Sequence, residues 1–340
     1  MNKWYLDTGE NGGVVISTRV RLSRNLEKYA FPDKIDTTVK NRINEQIRDI
    51  LSASEEGLAY IEMPELTHVQ AVSLAERQLI SPEFASSSLG RALLLSEDES
   101  VSIMLNEEDH VKIQVMQAGL SLDECFSRAD ALDDLLIAGT QIAFDERLGF
   151  LTRSPQDLGT AMRASVMLHL PGLNSSGQIT RLASTVSKLG LNLRSVYGDS
   201  FSSFGDLYLL SNQVTLGIAE STAIANLGSI AAQIAAQESA ARESLLDDIV
   251  WEDKTYRSLG ILQNARLLTS DELLELISPV RMAAAAGKVS IPLQTVNELM
   301  MNMQPATIKA REGELLDAGA RDALRATQVR EALKAVLVSE

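Results

Sequence analysis

The feature that most constrains the fold is an alternation of apolar and polar residues in several segments before about residue 246, which is absent from the rest of the chain. Over residues 14–22 this alternation predicts a strand with one apolar face, formed by Val14, Ile16, Val20 and Leu22. The opposite face carries Ser17, Arg19 and Arg21, so two guanidinium groups are predicted to point the same way. From about residue 246 onward only helical periodicity remains.

Similar patterns predict the other elements of the fold. Strands are predicted at 92–95, 101–105, 111–115, 191–196 and 207–210, the first two as a hairpin. Helices are predicted from Ser121, in capping-box spacing with Glu124, to about Phe144, then over 179–189 and 221–249. The chain is therefore predicted to be α+β, with a strand-rich domain at 1–245 and a smaller all-α domain at 246–340.

The charge balance limits the classes of partner. The 340 residues include 31 Lys+Arg and 46 Asp+Glu, and the net charge of −15 opposes nonspecific attraction to nucleic acid or to an anionic membrane. We expect neither partner, and the absence of a signal-peptide pattern predicts a cytoplasmic location. Three scattered histidines give no metal-ligand spacing, so no metal site is predicted, and Cys125 is expected in the core.

A nucleotide would have to be bound by side-chain charge, because the sequence contains neither a Walker A loop nor a GxGxxG pattern. Guanidinium groups suit phosphate oxygens because they donate paired, charge-assisted hydrogen bonds. The basic candidates are Arg19, Arg21, Lys112, Arg163 and Arg194, although composition alone favours ordinary surface residues. The acidic run 107–109 is either a solvated turn or a site that orients a cationic substrate, and spacing alone leaves both interpretations open.

Three segments, taken in order, resemble the catalytic half of the phosphagen kinases. They are STRVR at 17–21, NEEDH at 106–110 and SPQDLGTAMRAS at 154–165, which compare with STRVR, NEEDH and CPTNxGTxxRAS in that family. The whole chain is more similar to the McsB-type bacterial protein arginine kinases, because it lacks the N-terminal helical domain of the free arginine and creatine kinases and has a helical C-terminal region. That region fits the family's RDxxRA phosphoarginine-binding motif with Arg321, Asp322, Arg325 and Ala326.

The resemblance implies a phosphagen-kinase-like (glutamine-synthetase-like) catalytic domain with an antiparallel sheet and flanking helices. It implies transfer of the γ-phosphoryl group of ATP, with Mg²⁺, to arginine side chains of proteins. It assigns catalytic contacts to Glu108, Asp199 and Ser154, with Glu108 aligning the target guanidinium. It assigns nucleotide contacts to Ser17, Thr18, Arg19, Val20, Arg21, Gln78, Lys112, Arg163, Ala164, Ser165, Val166, Met167, Arg194, Ser195, Val196, Tyr197, Gly198 and Asp199.

The chain departs from the family pattern at several of these positions. Ser154 replaces a cysteine, and a hydroxyl does not ionise as a thiol does. The other departures are Asp199 for glutamate, Lys112 for arginine, Gln78 for histidine and Asp157 for asparagine. They leave open two alternatives to an active protein arginine kinase. One is a catalytically weak or inactive phosphoarginine-binding adaptor, and the other is a kinase of free arginine.

The resemblance also implies partners. Protein substrates with exposed arginines are expected, together with a CtsR-like repressor, a zinc-binding activator and a Clp-type unfoldase and protease that degrades the marked proteins. The acidic chain favours the approach of arginine-rich segments. The helical domain, predicted to bind phosphoarginine, is also expected to form a homodimer, since a small all-α domain commonly packs against a symmetry-related copy.

Overall fold

The computed structural model describes residues 3–199, 202–313, 315–334 and 336, with backbone alone at 198–199 and 202–203. The strands are β1 (Val15–Arg24), β2 (Ala59–Glu62), β3 (Ala92–Leu95), β4 (Val101–Leu105), β5 (Val111–Ala118), β6 (Phe144–Asp145), β7 (Gly149–Phe150), β8 (Met162–His169), β9 (Leu191–Ser195), β10 (Gly198–Asp199), β11 (Ser202–Ser203) and β12 (Leu207–Asn212). The longer helices are α1 (Thr37–Leu51), α2 (His68–Glu76), α3 (Pro82–Ala85), α4 (Leu122–Gly139), α5 (Pro171–Ser175), α6 (Ile179–Ser187), α7 (Glu220–Leu246), α8 (Ile249–Asn264), α9 (Ser270–Ala285), α10 (Leu293–Asn302), α11 (Pro305–Glu312) and α12 (Ala318–Leu333).

Eight strands form one sheet in the order β2-β3-β4-β5-β1-β8-β12-β9, and every neighbouring pair is antiparallel. The predicted hairpin of β3 and β4 is confirmed, and β1 lies in the middle of the sheet between β5 and β8. With helices packed against this sheet and helices alone after α7, the predicted α+β class is confirmed. No helix in the described part of the chain is long and apolar enough to cross a bilayer.

The main core covers one face of the sheet. There Val20 and Leu22 of β1 pack with side chains from α1, α4 and α7, such as Ile43, Leu132 and Leu227, all of them buried. Burial of such side chains contributes about 1.5–3 kcal/mol each relative to exposure. The core therefore fixes the orientation of β1 and leaves its polar face free for a site.

A bulge in β1 makes one sequence prediction wrong. The register of β1 against β8 shifts between Val15 and Ser17, which adds one residue and turns the chain. As a result Ile16 does not join Val20 in the main core but packs with Met167 and Leu209 against the helical C-terminal region. The period-2 pattern cannot reveal this shift, because it assumes an unbroken pleat.

For the helix that follows β5, the predicted start at Ser121 is confirmed, but the predicted capping bond and the predicted end were wrong. The Ser121 side chain makes no capping bond to α4, and its hydroxyl lies 3.4 Å from the carbonyl oxygen of Ala118. The helix ends at Gly139, where Thr140 is extended, and Phe144 begins the short strand β6. Cys125, in contrast, is fully buried in the core as predicted, and burial raises the pKa of its thiol to about 12.

The helices after α7 enclose a second core. Its buried side chains come from several helices and include Leu259, Ile277, Val296, Ile308 and Val329. The chain passes from α7 to α8 at residues 247–248, close to the boundary predicted near 245. Sheet residues such as Leu209 contribute to this second core, so the helical region packs directly against the sheet.

Candidate functional site

A cavity of about 410 Å³ opens on the polar face of the sheet. Its sheet side is lined by Arg19, Arg21, Gln114, Met167, Arg194, Val196, Tyr197 and Leu209. Its other wall comes from α2 and α3 and is lined by Ala75, Glu76, Gln78, Ile80, Ser81, Pro82 and Glu83. Three of the five basic residues predicted to bind a nucleotide therefore face one space.

These three guanidinium groups have no carboxylate of the described residues in direct contact. Within the described part of the chain, Arg19, Arg21 and Arg194 form no ion pair, and the buried Nε of Arg19 has no hydrogen-bond partner. Burial lowers the pKa of Arg19 well below its ordinary value, and repulsion from Arg21 and Arg194 adds to that effect. Because a buried charge without a partner is costly, this arrangement fits an anionic ligand.

Arg21 is in a similar position but has two acidic neighbours beyond ion-pair distance, Glu107 and Asp157. Burial lowers its pKa, the charge of Glu107 partly opposes that effect, and Arg163 reinforces it. The register of the sheet explains the crowding, because Arg21 lies directly opposite Arg163 on β8, and Arg19 directly opposite Ser165. Residues directly opposite one another in neighbouring strands share a face.

The other two predicted basic groups are already paired with carboxylates. Lys112 forms an ion pair with Glu107, which also accepts a hydrogen bond from Ser81. Burial opposes ionisation of Glu107, but these two contacts hold its pKa below the usual range. Arg163 donates to Asp157 at 2.7 Å and to the carbonyl oxygen of Asn212 at 3.1 Å. The structure thus separates three unpaired cations from two paired ones.

The acidic turn presents a single free carboxylate. Glu108 is exposed, whereas its neighbours Glu107 and Asp109 are buried. Asp109 accepts hydrogen bonds from the Asn25 side chain at 2.6 Å and from the backbone N–H of Arg153 at 2.8 Å. The turn is therefore fixed by its buried members, and Glu108 remains available to a cationic group from solvent.

His110 fastens the end of the same turn. Its Nδ1 accepts the backbone N–H of Leu26 at 3.1 Å, and its Nε2 lies 2.9 Å from the carbonyl oxygen of Ala30, to which it donates. Burial lowers its pKa to about 4, so the imidazole is neutral.

Ser154 begins a loop that is joined to the sheet by a glycine. The loop passes through Asp157 to Gly159, where φ is +103° and an added Cβ would lie 2.2 Å from the carbonyl oxygen of Thr215. Only glycine fits there without displacing the chain. Ser154 is partly exposed, and its carbonyl oxygen accepts the Thr152 hydroxyl.

Several predicted nucleotide contacts have side chains that do not reach the cavity. Thr18 is buried with its hydroxyl bonded to the carbonyl oxygen of Gly119, and Val20, Ala164 and Val166 lie in the main core.

Ser165 shares the cavity face, and Met167, Val196, Tyr197 and Gln78 line the cavity. Ser17 is buried on β1, and Ser195 donates to the carbonyl oxygen of Tyr197. Gly198 and Asp199 form β10, and the side chain of Asp199 lies outside the described residues.

The C-terminal motif divides into a buried and an accessible half. Arg325 is fully buried and donates to the carbonyl oxygens of Met303 and Leu268, each at 2.7 Å, while Ala326 lies in the second core. Arg321 and Asp322 are partly exposed. The Asp322 carboxylate accepts a hydrogen bond from the Arg325 guanidinium at 2.6 Å. This bond joins the accessible half of the motif to the buried half.

The sequence reasoning missed six of the seven residues of the wall formed by α2 and α3, Ser81 and Glu76 among them. Ser81 precedes Pro82, a dipeptide typical of a helix start, and its hydroxyl does cap α3 by accepting the N–H of Phe84. That signal could have located the wall. Glu76 has no motif, and only the fold brings it to the cavity.

Comparisons with known proteins agree with this geometry. The family model described as "ATP:guanido phosphotransferase, C-terminal catalytic domain" matches residues 38–241, and "Protein-arginine kinase McsB C-terminal domain" matches 248–339. The protein-arginine kinase of Halothermothrix orenii is 38% identical over 336 residues, covering 97% of this chain and 96% of that protein. That of Clostridium tetani is 37% identical over 337 residues, covering 98% and 99%.

Solved structures give the same result for the sheet-containing part. The duplicated taurocyamine kinase from Schistosoma mansoni, with bound transition state analog components, has a TM-score of 0.61 and 26% identity. The match covers 70% of this chain and 34% of that longer one. Lombricine kinase, at 23% identity and a TM-score of 0.58, shows the fold alone. On sequence, domain content and fold, the chain belongs to the protein-arginine kinase family of ATP:guanido phosphotransferases.

Proposed function

We propose that this protein transfers the γ-phosphoryl group of ATP to arginine side chains of other proteins. The observation that carries the proposal is the set of three unpaired guanidinium groups in one cavity, Arg19, Arg21 and Arg194. They supply fixed positive charge where a triphosphate needs it. Phosphoryl transfer depends mainly on such positioning and electrostatic stabilisation.

The side chains of this protein are compatible with a Mg²⁺ ion that is bound mainly by the phosphates of ATP and enters with the nucleotide. Mg²⁺ usually binds phosphate oxygens and water with one or two carboxylates, rather than a cage of protein ligands. The described residues contain no group of three or more acidic, histidine or cysteine side chains that would hold a metal alone. When bound, the ion neutralises phosphate charge, and the arginines orient the same phosphates.

We assign the target arginine to Glu108, because it is the exposed carboxylate of the acidic turn. Its exposed carboxylate can accept hydrogen bonds from a guanidinium and align one nitrogen with the γ-phosphorus. A nitrogen–phosphorus bond forms, the bond from the γ-phosphorus to the bridging oxygen breaks, and ADP leaves. The proton lost by the guanidinium passes to Glu108 as the nitrogen attacks, since free arginine stays protonated.

The relatives favour an enzyme over the adaptor alternative, because those matching nearly the full chain are named protein-arginine kinases. We propose that the helical region also binds phosphoarginine, with Arg321 and Asp322 as contacts. The buried Arg325 and Ala326 would keep those contacts in place. The unpartnered Nε of Arg321 supports this assignment.

For partners we propose protein substrates with exposed arginines, a CtsR-like repressor, a zinc-binding activator and a Clp-type unfoldase and protease. We also propose a homodimer formed through residues 246–340. The support is the match of residues 248–339 to the C-terminal domain of the protein-arginine kinases. Gel filtration with light scattering tests the dimer, and a monomer at micromolar concentration would contradict it.

The deciding experiment is a transfer assay with γ-labelled ATP, Mg²⁺ and an arginine-rich protein. We expect acid-labile phosphate on the protein, and a decrease of about 10²- to 10⁴-fold in kcat for Glu108→Gln. Glu243→Gln, an exposed carboxylate of α7, is the matched control and should leave the rate unchanged. Absence of transfer by the unmodified protein would refute the proposed function. Ser154→Cys tests whether the hydroxyl slows the reaction.

A further inference from the structure

One wall of the nucleotide cavity contacts the helical C-terminal region through Glu76 of α2, and the Ser73 hydroxyl of the same helix also donates to the Thr307 hydroxyl, at 3.3 Å. That wall consists of α2 and the residues after it, and Glu76 and Gln78 line the cavity. Glu76 is the last residue of α2 and reaches the N-terminus of α11. Its Oε1 accepts the backbone N–H of Ala306 at 2.9 Å, and its Oε2 accepts that of Thr307 at 2.7 Å.

Glu76 thereby acts as the cap that α11 does not carry in its own sequence. The residue in the capping position, Gln304, makes no side-chain capping bond, and Pro305 has no N–H. The next two N–H groups have no acceptor within the helix, and the positive end of the helix attracts a carboxylate. The Thr307 hydroxyl also donates to Glu76, at 2.9 Å, so three hydrogen bonds converge on one side chain.

The opposite end of this connection is fixed as well. The guanidinium of Arg325 on α12 donates from Nε to the carbonyl oxygen of Met303, directly before α11. The start of α11 is therefore held between α12 on one side and Glu76 of α2 on the other. Hydrogen bonds to both ends of the 303–307 backbone thus connect the interior of the helical region to the cavity wall.

A second contact between the same two parts lies beside the first. Tyr197 and Gln78 line the cavity and also border a small, mainly apolar space shared with Met300 and Met301 of α10. Burial raises the pKa of Tyr197 to about 12, and the nearby charge of Glu76 contributes to that rise. The ring therefore stays protonated and lies between the nucleotide cavity and α10.

We propose that Glu76 is a positioning residue that holds α2 to α11 and so makes nucleotide binding depend on the packing of the helical region. The inference rests on the proposed function in one respect, namely that the cavity binds ATP. Coupling of this kind is reciprocal, because whatever α11 does for ATP affinity, ATP must do for the stability of α11.

The first test separates ATP affinity from catalytic rate. Glu76→Gln leaves one acceptor oxygen and places an NH₂ group against a backbone N–H, so the attachment of α2 to α11 is weakened, while the Ser73–Thr307 hydrogen bond remains. We expect the KM for ATP to rise about five- to tenfold, while kcat at saturating ATP changes less than about twofold. Asp317→Asn is the matched control, since Asp317 caps α12 in the same region, at 2.8 Å from the N–H of Ala320, without touching α2.

The second test uses hydrogen exchange in the unmodified protein. ATP should slow exchange of the Ala306 and Thr307 amides severalfold, and this protection should be lost in Glu76→Gln. If that variant does not fold, Thr307→Val, which keeps the backbone bonds and removes the hydroxyl bond, should show a smaller rise in KM. The exchange measurement on the unmodified protein decides independently of any variant.

Three results would overturn the inference: an unchanged KM for ATP in the position 76 and 307 variants, an equal rise in Asp317→Asn, or no ATP-dependent protection of α11. Direct titration with ATP separates the two proposals. If the unmodified protein does not bind ATP, the proposed function fails and this inference fails with it. If it binds ATP but α11 does not respond, only the role of Glu76 is refuted.

Discussion

The buried guanidinium of Arg19 in the cavity carries a free-energy cost that a bound anion would relieve. Arg19 lies close to Arg21 and Arg194 and forms no ion pair with a described carboxylate, and its pKa is driven down by burial and by these two neighbours. In the ligand-free protein this charge opposes folding. Functional sites commonly trade stability for activity in this way.

Replacing Arg19 should therefore separate stability from binding. Arg19→Met keeps an unbranched side chain and removes the buried charge, so we expect the free energy of unfolding of the ligand-free protein to rise by about 1 kcal/mol. ATP binding should fall below detection. Arg257→Met, which removes an exposed arginine paired with Asp253, is the control and should change neither quantity. Urea denaturation and ATP titration measure both, and a destabilised Arg19→Met would argue against a strained anion site.

If Arg163 contacts the nucleotide as proposed, Asp157 competes with that nucleotide for its guanidinium. Its carboxylate accepts the Arg163 Nε at 2.7 Å, where the family pattern has a neutral asparagine. In Asp157→Asn the guanidinium loses its ion pair, so we expect the Kd for ATP to fall by about three- to tenfold at low salt. Isothermal titration measures it. An unchanged Kd would mean that Arg163 does not contact the phosphates.

Among the elements, the turn that ends at His110 is the most sensitive to acid. His110 has a pKa of about 4 in the fold, and burial together with the Arg281 and Arg242 charges lowers the pKa of His169 well below 6.5. Both are neutral in the fold, whereas the unfolded chain takes up protons below about pH 6.5. The stability that these two neutral histidines contribute is therefore fully present above about pH 6.5 and is lost as the pH falls toward 4.

The expected size of this effect is measurable. Between pH 7.5 and 5.5 each of the two histidines should lower the free energy of unfolding by about 1.4 kcal/mol. His110→Asn should show about half the pH dependence of the unmodified protein, and the exposed His68→Asn should show all of it. Urea titrations at several pH values provide the data, and an equal slope in all three proteins would rule out this role for His110.

The elements also show what local patterns can and cannot predict. Alternation located β1 and its neighbour β5 correctly, since every residue sees the same pleat, but β8, the other neighbour of β1, was not predicted. The bulge at Val15 and Ser17 could not be predicted, because it depends on pairing with β8, a strand far away in the sequence. The capping box at Ser121 had the right spacing, but φ −132° and ψ 46° give the residue a backbone unsuited to capping.

The same limit applies to the site once the protein is considered as a unit. Motif order brought out Arg19, Glu108 and Arg163, whose chemistry is visible in the residue types themselves. The division into paired and unpaired cations was not predictable, since it follows from the neighbours that each side chain finds. Glu76 was invisible for the same reason, because its partners lie about 230 positions away along the chain.

The net charge of −15 should govern how protein substrates approach. A negative field attracts arginine-rich segments, and salt screens it, with a Debye length of about 10 Å at 0.1 M. We expect kcat/KM toward a strongly cationic protein to fall about tenfold between 0.05 and 0.5 M KCl. A short peptide with a single arginine and no net charge is the control, and it should change much less. Equal salt dependence of the two substrates would contradict electrostatic steering.

The position of Cys125 has a consequence for chemical damage. It is the chain's one cysteine, it is fully buried, and its raised pKa keeps the sulfur un-ionised, while the loop by the cavity carries Ser154 instead. Oxidants and alkylating reagents attack the thiolate form, so they find no reactive sulfhydryl on the folded protein. Enzymatic turnover should survive treatment with iodoacetamide or dilute peroxide, and Ser154→Cys should introduce sensitivity to both. We therefore expect that thiol oxidation does not regulate arginine phosphorylation by this protein.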